Sequence, residues 1–451
     1  MRMKKFISFL MCSVLLIAAV SCDKEDPYKL YDVKVKLQYS DPGFSPIAGV
    51  SVIAVNINTG MYYVGTTDDA GIAIVPVVAG LYEFSATETR AMDATAFSFN
   101  GFKQQVAITH DYEKEPFVVD IAMVGSEAKQ VIIKELYSGG CQKDDGSGHF
   151  QNDKYVVLYN NSPVDADLKN LCFAMTIQYN SHATNADVID GKLTYENEGV
   201  VLAGNGYWTW AEGHAPVLKP GEEVVVAING AINHTLTYGL SVDLSKGDYY
   251  AMYDPESGYN QAASYPTPSE AIPTSHYLKA YKYGRGTGWP LSVTGPAFFI
   301  FMTPDGVTPQ SFFEDTSNEN YYNNISAMVR KWVPAEWVVD AMEVFSAGYV
   351  GKNNKRLITA VDGGSVVLTH RQGHSIYRNV NKEATEAIPE NKGKLVYGYA
   401  LGTSDLEEGS TDPSDIDAEA SIKMGARIVF MDTNNSGNDF HQRKEAALRS
   451  K

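Results

Sequence analysis

Residues 32–39, Asp-Val-Lys-Val-Lys-Leu-Gln-Tyr, alternate polar and apolar side chains, the period of a strand with one buried face. Few later segments abandon this short-range pattern for a helical one. Gly49 to Asn56 predicts a second strand, with Val50, Val52 and Ala54 on one face. Thr66-Thr67-Asp68-Asp69-Ala70-Gly71 predicts a turn, followed by the apolar run Ile72 to Val78 and a strand starting at Gly80-Leu81-Tyr82-Glu83-Phe84-Ser85. Many short strands punctuated by Gly, Pro and Asn turns require an all-β protein, because each strand must bury one face against another sheet. One helix is expected, at Pro334 to Ser346, where Pro opens the first turn and Trp337, Val338, Ala341, Met342 and Phe345 form an apolar stripe.

The order variable strand, Thr-x-Asp-x-x-Gly turn, strand, Gly-x-Tyr strand over residues 30–125 resembles the carboxypeptidase-regulatory or prealbumin-like domain. The resemblance implies a seven-stranded sandwich used as a spacer or docking module. From residue 128 onward a second series follows. It comprises Val131 to Tyr137, Lys154-Tyr155-Val156-Val157-Leu158-Tyr159-Asn160-Asn161-Ser162, Asp167 to Leu171, and Val217-Leu218-Lys219-Pro220-Gly221-Glu222 running into Val226. With Gly373-His374-Ser375-Ile376-Tyr377-Arg378, this series resembles the lamin-tail domain, although Val157 stands where that family usually has Glu. The resemblance implies an immunoglobulin-like sandwich over 128–451, interrupted by a Tyr-rich insertion at about 180–356 and carrying one or two short helices. Leu357 to Leu368 and Ala426 to Met431 are also expected to be strands.

The N-terminus points to export. Arg2, Lys4 and Lys5 precede the apolar stretch Phe6 to Val20, and Ser21-Cys22 closes it, the layout of a secretory signal too short to span a bilayer. Ala19-Val20-Ser21-Cys22 resembles the bacterial lipobox, with Ala19 in place of the usual Leu. This implies cleavage after residue 21 and lipidation of Cys22, and several acyl chains on one residue anchor stably, at about 0.8 kcal/mol per buried methylene. An acidic tether covers residues 22–29. Its Lys24-Glu25-Asp26 resembles the signal that sends Bacteroidota lipoproteins to the outer face of the outer membrane. No later segment offers 18 uninterrupted apolar residues. The formal charge is −17, and loss of residues 1–21, with three basic and no acidic residues, takes it to −20. That balance argues against nucleic acid, and against a membrane contact other than the lipid. Of four cysteines only Cys141 and Cys172 remain, and in an oxidising compartment a disulfide between them is expected.

Catalytic motifs are missing. There is no Gly-x-Ser-x-Gly elbow and no P-loop. Gly284-Arg285-Gly286-Thr287-Gly288 lacks the strand–helix setting of a phosphate cradle. His370 and His374 are four apart in a segment of strand and turn character, where that spacing does not bring two ligands together. Asp432-x-Asn434-x-Ser436-Gly437 resembles the first half of a calcium loop, but Arg443 occupies the twelfth position, and an Asn-rich turn with Asx hydrogen bonds fits better. No enzyme activity and no cofactor are expected.

Residues 249–289 hold eight of the 28 tyrosines together with Trp289. Tyrosine gives large contact area at low entropic cost, which binding loops exploit. Upstream, Trp208 and Trp210 alternate and so share one face of a strand. These aromatics suit either a contact surface or packing between insertion and sandwich. On the first alternative, Trp208, Trp210, Tyr253, Tyr259, Tyr281, Tyr283 and Trp289 would meet a ligand or partner. Lipobox, regulatory-type sandwich, insert-bearing second sandwich and the ending Asp432 to Phe440 together resemble an uncharacterised family of Bacteroidota lipoproteins encoded beside TonB-dependent receptors. That setting implies a non-enzymatic binding or accessory component of a TonB-dependent uptake complex. A structural or adhesive surface protein gripping a polymer, and a hydrolase with an unrecognised site, are the rival readings.

Overall fold

The computed structural model describes residues 29–39, 43–92, 95–109, 117–127, 130–260 and 265–450. The signal, Cys22 and most of the tether lie outside them. The described chain is all-β, built as two sandwiches.

The first contains β1 (Tyr31–Tyr39), β2 (Ser51–Asn56), β3 (Tyr62–Thr66), β4 (Ile72–Val77), β5 (Gly80–Met92), β6 (Thr95–Ile108) and β7 (Phe117–Glu127). Their order is β3-β2-β5-β6-β7-β1-β4, with β1 and β7 parallel and the other pairs antiparallel. The expected alternation holds: Val33, Val35 and Leu37 point into one core with Val50, Val52 and Ala54, while Lys36 and Gln38 face solvent. The turn before β4 is held by Asp68, whose Oδ1 accepts from the N–H groups of Ala70 (2.9 Å) and Ile72 (3.0 Å). Gly71 closes it at φ +72°, and a Cβ there would lie 2.5 Å from Pro46, so the glycine is needed for both shape and space.

The second sandwich packs two six-stranded sheets face to face. One runs Tyr250–Ala251, Glu223–Ala227, Tyr155–Asn160, Val131–Tyr137, Ser375–Arg378, Phe440–Arg443. The other runs Lys279–Tyr281, Tyr207–Thr209, Leu171–Met175, Ala297–Met302, Val338–Ser346, Val366–Leu368. Their facing sides form one core, which includes Ile133, Leu158, Phe173, Trp208, Phe298, Met342 and Ile376. The outer sides are covered too. Residues 231–277 pack over one part of the first sheet, the stretch from Val380 to Phe430 over another, and residues 193–202 with 312–338 over the second sheet. Burial on both faces explains why Val131–Tyr137 and Tyr155–Asn160 are apolar throughout rather than alternating.

Three expectations fail here. Of Leu357 to Leu368 only Val366–Leu368 is a strand, the residues before it being turns and irregular chain. Pro334–Ser346 is not helical: a strand Val329–Pro334 ends at Pro334, a single 3-10 turn covers Ala335–Trp337, and Val338–Ser346 is a strand inside the second sheet. Asp340 and Glu343, which look like the polar face of a helix, are buried partners of Arg378 and Arg356, so the apparent helical stripe came from polar residues that sit inside. The Tyr-rich segment at 180–356 is likewise not a detachable insertion, since it contributes four of the second sheet's six strands. Among the described residues the α-helices are four short ones, Pro309–Glu314, Lys382–Glu386, Ala418–Lys423 and Ser436–Asp439. Ala426–Met431 is extended but joins no ladder beyond a bridge from Phe430 to Val380. The two sandwiches touch through polar contacts, where Asn100 Nδ2 donates to Thr433 O (2.6 Å) and Asn435 Nδ2 to Thr87 Oγ1 (2.8 Å).

Candidate functional site

At one end of the second sandwich three distant segments converge. The hairpin Cys141–Gln142/His149–Phe150 pairs Phe150 with Cys141 and His149 with Gln142. The 3-10 turn His234–Leu236 brings in Tyr238, and the loop after Val366–Leu368 brings in Arg371. That last loop is tied down where Arg371 N donates to Gly139 O and Gly373 N to Gly140 O, each at 2.9 Å. Arg371 adopts φ +66°, a left-handed conformation uncommon outside glycine and asparagine. Asp144 accepts from Gly239 N at 3.0 Å and so clamps the hairpin to the 3-10 segment.

Between these segments lies an open cleft of about 510 Å³, lined by Lys143, His149, Phe150, Gln151, Asn152, Tyr238 and Arg371. Two features set its chemistry. Lys143, Arg371 and, when protonated, His149 give it positive charge, and none of its lining residues is acidic, in a chain whose total is strongly negative. The rings of Phe150 and Tyr238 stack at 4.4 Å with an interplanar angle of 26°, and His234 packs on Phe150 at 5.0 Å. A cationic rim beside an aromatic shelf can hold an anionic group and a flat or ring-shaped apolar face together.

Beneath the cleft sits buried Asp153. Its Oδ2 accepts from Ser241 Oγ (2.6 Å) and Tyr137 OH (3.2 Å), and burial raises its carboxyl above the ordinary value. Ser241 therefore donates to the carboxylate and not to His234, whose Nε2 lies 2.6 Å from Gly230 O. Burial pushes the Cys141 thiol up to about 12, which keeps it from acting as a thiolate.

The residues singled out in the sequence go elsewhere. Trp208, Trp210, Tyr259 and Trp289 are all in the core between the sheets, and Tyr283 is buried over the second sheet. Trp208 and Trp210 do share a face, and Trp208 stacks on Tyr259 at 5.5 Å and 4°. Tyr259 OH donates to Asn205 O (2.7 Å), Trp289 Nε1 to Gly206 O (3.2 Å) and Tyr283 OH to Ala203 O (3.0 Å). Tyr253 and Tyr281 are half-buried, against Tyr277 and against Tyr207 and Phe313 respectively. The five enclosed side chains, Trp208, Trp210, Tyr259, Tyr283 and Trp289, serve packing rather than a contact surface, while Tyr253 and Tyr281 keep part of their rings exposed. Nothing in local composition marks the cleft. Lys143 and Arg371 are 228 positions apart, and only the fold makes them neighbours.

Cys141 and Cys172 are both buried free thiols. Cys141 belongs to the cleft hairpin, with its Sγ toward Asp153 Oδ2 at 3.9 Å. Cys172 is on the second sheet, in the core with Ala174 and Tyr207. The disulfide expectation is corrected, because the two strands carry their cysteines into separate cores. The Asp432–Ser436 loop wraps a protein cation instead of a metal: Arg378 Nη1 stands 3.7 Å from carboxylate oxygens of both Asp432 and Asp439. Asn435 Oδ1 accepts from Gly437 N (3.0 Å), the Asx turn expected from the sequence, and Ser436 Oγ donates to Asp362 (2.5 Å). His374 Nδ1 is 2.9 Å from Lys444 O, and its Nε2 is 3.4 Å from Asp405. Among the described residues no group of three or more His, Cys, Asp or Glu side chains is placed to hold a metal.

Residues 219–397 match a family described as a protein of unknown function, DUF4876. The crystal structure of a DUF4876 family protein from Bacteroides thetaiotaomicron VPI-5482 is similar over 91% of this chain and 94% of that chain. Its TM-score is 0.50 at 20% sequence identity, a likeness of fold. No curated protein matches the chain.

Proposed function

We propose that the chain is a non-enzymatic binding lipoprotein, anchored through Cys22 to the outer face of an outer membrane, which captures an anionic ligand as an accessory to a TonB-dependent receptor. The lipobox resemblance and the acidic tether support the anchor. The similarity to a Bacteroides fold is in keeping with an organism of that cell type. The observation that carries the binding role is the cleft, where Lys143 and Arg371 flank the stacked Phe150 and Tyr238. A carboxylated sugar fits this chemistry, its acid group on the guanidinium and its ring face on the aromatics.

The test is calorimetric titration with matched acidic and neutral oligosaccharides. Acidic members should bind, with affinity falling as salt rises. Arg371→Ala and Lys143→Ala should each weaken binding about tenfold or more, the loss of a charge-assisted hydrogen bond worth roughly 1.5–3 kcal/mol. Acidic ligands that bind both variants as tightly as the natural chain would refute the site. Copurification with an integral β-barrel from outer membranes tests the receptor partnership.

A further inference from the structure

The hairpin over the second sheet contains an unusual grouping. Strand Glu319–Tyr321 pairs antiparallel with Val329–Pro334, and Glu319 lies directly opposite Lys331. The Lys331 side chain is fully buried. Its Nζ stands 5.8 Å from the ring centroids of both Tyr283 and Phe312, and those rings are themselves buried. Nζ donates to Asp315 O (2.7 Å) and to Asn318 Oδ1 (2.8 Å), and Glu319 Oε1 is 3.9 Å away.

The neighbours of this trio orient it. Asn318 Nδ2 donates to Phe312 O (3.4 Å), which turns the amide carbonyl toward the lysine. Tyr321 OH donates to Glu319 Oε2 (2.9 Å), holding the carboxylate. Among the other buried lysines, Lys134 shows what a structural ion pair looks like, its Nζ 2.6 and 2.7 Å from two carboxylates, Glu223 and Glu419, while Lys154 and Lys355 donate to backbone carbonyls. Lys331 instead meets an amide at hydrogen-bond distance and a carboxylate a step further off.

We propose that Lys331 and Asn318 join spontaneously in an intramolecular isopeptide bond, with Glu319 as the proton carrier. The neutral amine attacks the Asn318 side-chain carbonyl, forming the Nζ–Cγ bond. One proton moves from Nζ through the Glu319 carboxylate to Nδ2. The Cγ–Nδ2 bond then breaks, ammonia leaves and a secondary amide remains. Amine plus primary amide gives secondary amide plus ammonia, so no oxidant or other reactant is consumed. Burial lowers the Lys331 ammonium's pKa, which raises the share of nucleophilic amine. Fixing amine, amide and proton carrier within one hairpin supplies the proximity that such a reaction lacks in free solution. The bond would fasten the segment Pro309–Asn318, which covers the second sheet, to a strand beneath it.

Tryptic peptide mapping of the purified full chain by mass spectrometry tests this. Trypsin should release residues 286–330 joined to residues 331–352 as one branched species lighter by one ammonia, with no cleavage after Lys331. Lys331→Gln should abolish the branched species, and Glu319→Gln should reduce it at least tenfold. A natural chain that yields 286–330 unlinked and is cut after Lys331 overturns the proposal. A Glu319→Gln chain that is linked as completely as the natural one overturns the role given to Glu319.

Discussion

Arg378 and Asp340 lie on opposite sheets of the second sandwich and are joined through its core: Arg378 Nη2 donates to Asp340 Oδ2, and both side chains are buried. Arg378 Nε also donates to Ile133 O (2.7 Å) and Nη1 to Met431 O (2.8 Å). Its guanidinium plane is thus filled by strands from both sheets and by the loop toward the first sandwich, an arrangement that suits arginine's fixed fork and that lysine could not reproduce.

Removing that cation should be costly. Arg378→Met takes away the charge that Asp340, Asp432 and Asp439 share, and breaking a buried pair from one side typically costs about 3–5 kcal/mol. Urea unfolding should show a loss of that size, and Asp340→Asn a smaller one because the amide can still accept from Ile133 N. A loss below about 1 kcal/mol for Arg378→Met would mean that packing alone holds the sheets.

His441 should make the fold acid-sensitive. Burial, reinforced by Arg443, pushes its imidazole from 6.5 down to about 3. The neutral ring lies 2.7 Å from Asn379 Oδ1 through Nδ1 and 2.6 Å from Tyr399 OH through Nε2. Asn379 Nδ2 donates to Asn438 O, so Oδ1 is left to accept and Nδ1 carries the proton. The unfolded chain binds a proton below its ordinary value and the folded chain does not. The stability from this group is therefore complete above pH 6.5 and lost as pH falls toward 3. Urea midpoints across that window should fall less steeply for His441→Gln than for the natural chain, and parallel profiles would contradict the assignment.

The buried aromatics should behave as core. Trp208→Ala and Trp289→Ala are each expected to cost about 3–5 kcal/mol. Tyr259→Phe, which loses only the hydroxyl bond to Asn205 O, should cost about 1 kcal/mol. Melting experiments check both, and a Trp208→Ala chain of unchanged stability would show that the ring is not packed as described.

Cys141 and Cys172 should both be alkylated after denaturation without reductant, and neither in the native fold. Burial drives both thiols upward, Cys141 to about 12, and shields them. Recovery of a disulfide-linked peptide pair from unreduced protein would restore the bridge that the fold does not show.

In the first sandwich β1, β2, β4 and the start of β5 were legible, because alternation along Tyr31–Tyr39 and Ser51–Asn56 reports one wet face and one dry face, whereas β3, β6 and β7 were not singled out. The second was harder. Leu171–Met175 is buried on both faces and has no period to read. In Val338–Ser346 the polar residues are inside, which turned a strand into an apparent helix. The tyrosine excess at 249–289 was real, but composition does not distinguish a ring that fills a core from one that faces a ligand.

What the chain determines by itself is local: the all-β class, the Asp68–Gly71 and Asn435–Gly437 turns, and the shared face of Trp208 and Trp210. Each follows from side-chain chemistry within a few residues. Tertiary structure alone decided which charges are buried as pairs, that the two cysteines enter separate cores, and that Lys143, Tyr238 and Arg371 meet in one cleft. Those relationships join positions tens to hundreds of residues apart. They are set by how two sheets and their coverings bury surface and match polar groups, and no short window of sequence carries that information.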